Sequence, residues 1–183
     1  MFQMSLMVPL VIILSFSILI EAQGKEHSHR SHRAHVHGVG QLSLAFDGAK
    51  GALLWRAPTE AFWGFEHEAK SPKEKQIVEE VRRRIESKMG SIVAFDAALE
   101  CQFSAFKMSN HRESSSSKHS EFEVEAAITC KRSPLGTVIE FNFQKAFKDM
   151  KSVEVTVLAD SVQKSLKVGT SPASIDLFER GSN

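Results

Sequence analysis

Three stretches of this chain alternate apolar and polar residues with a period of two, and that pattern dictates a sheet. Leu42, Leu44 and Phe46 alternate with Gln41, Ser43 and Ala45, and Phe122, Val124, Ala126, Ile128 and Cys130 with Glu121, Glu123 and Glu125. Val153, Val155 and Val157 repeat the pattern. Successive side chains of a strand point to opposite faces, so each stretch has one face for a core and one for water. Asp47-Gly48-Ala49-Lys50-Gly51 supplies a turn, and Ala52–Ala57 a return strand ended by Pro58, which predicts a hairpin. Ala98–Phe106 reads as a strand carrying Cys101, and Val162–Val168 as a partner for the Val153 strand. Residues 137–148 fit a helix through Ile139, Phe143 and Phe147 and a strand through Val138, Ile139 and Phe141.

One helix is predicted over 72–89. Ser71 is its N-cap, with Glu74 three residues on as in a capping box, and Ile77, Val78, Val81 and Ile85 form one apolar stripe. Met89-Gly90 closes it, and Arg82, Arg83 and Arg84 fall mostly on the solvated side. The expected architecture is α+β, a mainly antiparallel sheet packed with one or two helices. No internal repeat is visible.

Of 183 residues, 42% are hydrophobic and 25% charged, enough for one well-buried core. Residues 1–20 carry no charge, Leu6–Ile20 is almost continuously apolar, and small residues follow at Ala22 and Gly24. Residues 1–22 therefore read as a secretory signal peptide, although no Lys or Arg precedes the apolar run. An uncleaved anchor is the alternative, since about 20 apolar residues span a bilayer. In either case the rest lies outside the cytoplasm, with no membrane span after signal removal. Residues 23–34 form a polar, His-rich flexible arm, and 35–183 a single domain. Basic and acidic residues intermingle, and no phosphate-cradling, dinucleotide or nucleophile-elbow motif occurs, so nucleic-acid binding is not expected. Cys101 and Cys130 favour a disulfide in an exported chain, closing a loop of about 30 residues worth about 3.5 kcal/mol. Zinc thiolates are the alternative.

Five of eight histidines fall between positions 27 and 37. On a strand His35 and His37 would share a face, roughly 6.6 Å apart, and could aim at one point. Gly38 and Gly40 leave room beside them. Zinc takes imidazole readily and wants three or four ligands. His67, after an aromatic turn, and His119, at a strand start, are the long-range candidates, with Glu66 and Glu121 beside them. The bland readings are plain: an H-x-H pair alone is a weak motif, and His27, His29 and His32 suit a solvated arm or weak metal gathering. His111 reads as a surface residue, and the Glu121, Glu123, Glu125 row as a solvated edge.

Taken in order, the blocks HRAHVHGVGQLSLAFDG, APTEAFWGFEHEAKSPKEK, ALECQF and HSEFEVEAAITC resemble the ZrgA-like family of periplasmic zinc-binding proteins, over roughly residues 32–160. The resemblance implies export by bacteria of the Gram-negative type, induction under zinc scarcity, and zinc binding in aid of import. It implies metal ligation by His35, His37, His67 and His119, accompanied by Glu66 and Glu121, and pairing of Cys101 with Cys130. Trp63 stands where the pattern has an aliphatic residue, the segment after Phe147 lacks a proline, and LADSVQKSL lacks the Gly-Gln of the last hairpin. The expectation is an exported zinc-binding protein, not an enzyme, that captures or buffers periplasmic zinc and supports an import component. Two rivals remain. A zinc hydrolase would use Glu66 or Glu121 as base, but Gly38-Val39 follows His37 where H-x-H-x-D is needed, and there is no H-E-x-x-H. The other is an envelope interaction module whose histidines serve a pH-sensitive contact.

Overall fold

The computed structural model describes residues 38–112 and 119–179. The signal-peptide, arm, His27, His29, His32, His35 and His37 expectations therefore lie outside the described residues. The chain opens with the expected hairpin, β1 (Val39–Asp47) and β2 (Lys50–Pro58), turning at Gly48-Ala49 with Gly48 at φ 55°. There follow α1 (Glu60–Trp63), α2 (Pro72–Ile92), β3 (Val93–Phe95), a 3-10 turn at Ala97–Leu99, β4 (Gln102–His111) and β5 (Glu121–Thr129). Then come β6 (Val138–Phe141), β7 (Ser152–Ala159), β8 (Val162–Val168) and β9 (Ala173–Asp176).

A six-stranded sheet runs β4-β5-β2-β1-β7-β8, and a three-stranded one runs β3-β6-β9. The fold is broadly α+β, mainly sheet with one long helix. Its large sheet is mixed, because β1 and β7 pair in parallel from Val39↔Ser152 to Phe46↔Ala159 while its other neighbours are antiparallel. Alternation fixes which face of a strand is buried and says nothing of its direction, so this pairing had no signal in the pattern.

The inner face of the large sheet buries Leu42, Leu44, Trp55, Phe122, Val124, Val155 and Val157. They join one core with Val81, Ile85, Met89 and Ile92 of α2 and Ile139, Phe141 and Ile175 of the small sheet. Trp55 is its hub, with ring centroids 4.9 Å from Phe62, 5.3 Å from Phe143 and 5.4 Å from Phe147. Such tilted and edge-on pairs suit the aromatic quadrupole.

Local signals place α2. Ser71 accepts from the Glu74 amide and Glu74 accepts from the Ser71 amide, the reciprocal box anticipated. The helix does not stop at Met89-Gly90. Met89 and Ile92, one turn apart and both buried, carry it on to the extended Val93. The strand expected at Ala98–Phe106 is shifted, since Asp96 Oδ1 accepts from Ala98 N to build the 3-10 turn and β4 starts at Gln102. A bulge between Ser104 and Lys107, with Ala105 at φ 51°, breaks its register. Residues 137–148 divide between both periodicities: β6, then a helical turn closed by Phe147 N donating to Phe143 O at 2.9 Å. Cys101 and Cys130 form a disulfide joining the residue before β4 to the residue after β5. That bond removes the thiolate alternative.

Candidate metal centre

One end of the large sheet collects the described histidines, His67, His111 and His119. There β2 ends at Pro58, opposite Glu121, where β5 begins; His111, last in β4, pairs with the same Glu121. β1 starts at this end too, since it runs antiparallel to β2 with Gln41 opposite Arg56. Gly64, at φ 85°, ends α1 and turns the chain into the Phe65–Lys70 loop.

Two hydroxyls lock that loop to the start of β5. Thr59, 1% exposed, donates its amide to Ser120 O at 3.0 Å. Its Oγ1 donates to Phe65 O at 3.0 Å and lies 2.7 Å from Ser120 Oγ, which in turn donates to Glu66 O at 2.6 Å. A buried hydroxyl must be satisfied, and here satisfying it holds Phe65, Glu66 and Ser120 together. The result positions His119, whose Nδ1 sits 2.7 Å from Glu66 Oε2.

His67, next in the loop, has Nε2 3.0 Å from Glu74 Oε1 and stacks on Phe65 with ring centroids 4.8 Å apart. Glu74 Oε2 accepts from the Lys70 and Ser71 amides, each at 2.9 Å. The His67 contact first, then those two amides, hold the Glu74 carboxyl at about 2, below its ordinary 4.5. Both imidazoles are more than half exposed.

These pairs resemble the support that metal-bound histidines commonly receive, a carboxylate on one ring nitrogen that fixes the tautomer and aims the other. Such support would present Nε2 of His119 and Nδ1 of His67 to a metal, so the donor chemistry suits zinc. Among the described residues no group of three or more His, Cys, Asp or Glu is close enough to hold an ion. His67 and His119 are the described histidines that carry such a carboxylate at ordinary hydrogen-bond distance.

Glu121 occupies different surroundings. It lies on the outer sheet face with its Oε1 3.9 Å from Arg56 Nε, and the same guanidinium bonds Glu123. His111 shares this face, its Nε2 2.9 Å from Ser109 Oγ and 3.5 Å from Glu123 Oε1. His67 and His111 both line an open cleft of about 450 Å³ that includes Phe65, Arg112 and Ser120. Sequence reasoning missed Glu74 as a histidine partner, because its capping-box role already accounted for it. It also missed Thr59 and Ser120, which carry no pattern signal.

Fold and site together define an α+β protein that presents carboxylate-backed histidines at one sheet end, a donor set for a borderline metal ion. The ZrgA family of zinc uptake proteins matches residues 34–177, and the chain belongs to that family. The match runs beyond the roughly residue-160 limit of the resemblance seen in sequence, so the departures near the last hairpin do not end it. No curated protein matches the chain.

Proposed function

We propose that this protein captures or buffers zinc outside the cytoplasm, after cleavage of its N-terminal signal, and supports zinc import without catalysing a reaction. The carrying observation is the pair of supported imidazoles, His119 on Glu66 and His67 on Glu74, on a loop and a strand start tied by the buried Thr59 and half-buried Ser120 hydroxyls. Membership of a zinc uptake family supports the cargo. Two further ligands are His35 and His37, just ahead of β1. The start of β1 lies two strand spacings from β5 in the sheet order, about 10 Å, a gap a few extended residues can bridge. Glu121, drawn toward Arg56, contributes charge near the site, and the arm histidines 27, 29 and 32 collect zinc weakly.

Zinc binding to the mature protein, counted by native mass spectrometry and titrated by calorimetry, tests this. His37→Ala, His67→Ala and His119→Ala should each weaken one tight site by tenfold or more, as lost metal contacts do, while His111→Ala changes little. Affinity should fall as acid protonates the imidazoles. Wild-type affinity in all three variants would overturn the assignment. Zinc-dependent turnover of an ester or phosphate would instead favour the hydrolase.

A further inference from the structure

The second cavity in the fold belongs to different chemistry. A groove of about 700 Å³ runs between α1, the C-terminal half of α2 and the 145–149 loop before β7. Its walls carry Arg84 and Lys88, one helical turn apart on α2, and Lys145 and Lys148 on the loop, against a single carboxylate, Asp149. Phe62 and Phe147 floor it but are only 5% and 2% exposed, so what it presents is chiefly its basic side chains. Arg84 Nη1 donates to Ala146 O at 3.2 Å and so braces loop to helix. The Lys88, Lys145 and Lys148 ammoniums have no ion-pair partner among the described residues. In a chain whose whole formal charge is +1, four cations around one concave groove are a local concentration.

We infer that this groove is a docking site for an extended, acidic segment of another protein. Charge selects the occupant. The chain's own segment ahead of β1 carries Lys25, Arg30 and Arg33 against Glu26, and Glu113 and Lys118 in the serine-rich stretch cancel, so neither offers the net negative charge the groove calls for. Shape selects an extended chain over a membrane, because a flat anionic surface meets only the rim of a groove set between helix and loop. The groove's loop abuts the start of β1, since a Cβ placed on Gly38 would lie 3.1 Å from Asp149 O. None of these residues belongs to the histidine site, so the inference stands or falls apart from zinc binding.

The test uses the mature full-length protein and a labelled, extended Glu-rich peptide. Binding should be measurable at low salt and weaken steadily as screening increases. Lys88→Glu combined with Lys145→Glu should lower affinity at least about tenfold, since exposed pairs of this kind are lost and reversed together. Lys148→Glu should act in the same direction, and all variants should keep the wild-type melting temperature and zinc content. Equal binding by the charge-reversed protein, or no binding by the wild type, overturns the inference. So does preference for phosphatidylglycerol vesicles over the peptide, or self-association that charge reversal abolishes.

Discussion

Glu74 serves two structures with one carboxylate: one oxygen meets the His67 imidazole, and the other caps the first turn of α2 through the Lys70 and Ser71 amides. Its carboxyl, ordinarily at 4.5, sits at about 2 in the fold, so it binds a proton less readily folded than unfolded. The linked stability is therefore present above pH about 4.5 and lost as pH falls toward about 2. Glu74→Gln, which keeps a capping amide, should have a lower melting temperature than wild type above pH 4.5, with the gap closing toward pH 2. A gap that stayed constant with pH would mean the charge is irrelevant. His119 and Glu66 are a second example of adjacency that only folding creates, since 53 positions separate them. Glu66 and His119 stood out as metal-compatible residues in the sequence, but their mutual contact depends on Thr59 and Ser120, whose hydroxyls look ordinary in a linear reading.

Among the elements, α2 exposes a limit of glycine as a stop signal. Gly90 looks like a helix terminator, yet it sits inside the last turn because burial of Met89 and Ile92 outweighs its conformational cost. A Cβ at Gly90 meets nothing within 4 Å. Gly90→Ala should thus stabilise the protein by about 0.5–1 kcal/mol, read as a higher urea midpoint with unchanged slope. A lower midpoint would show that the turn needs glycine. The strands divide along the same line. β1, β5 and β7 were legible because one face is buried and the other wet, which imprints alternation. β4 was legible only in part. As an edge strand with a bulge it exposes most of its residues, and its pattern is accordingly weak. Of the small sheet only β6 left a trace, the strand alternative through Val138, Ile139 and Phe141, because its three- and four-residue strands are too short to establish a period.

At the scale of the molecule, the Cys101–Cys130 bond staples β4 to β5, the two strands at one margin of the large sheet. Replacing both cysteines with serine should cost about 3.5 kcal/mol in urea unfolding under oxidising conditions. Two titratable thiols in the natively oxidised wild type would contradict the bond. The parallel contact between β1 and β7 reaches further. β1 opens the described chain, yet one of its two neighbours arrives only with Ser152–Ala159. Until that late strand emerges, Leu42 and Leu44 lack half of their sheet. Contacts this distant along the chain slow folding, because the intervening loop must be closed before any of them is gained. Completion of the large sheet therefore waits on β7: the earlier strands can pair as β4-β5-β2-β1, but the free margin of β1 stays open until residues 152–159 are in place.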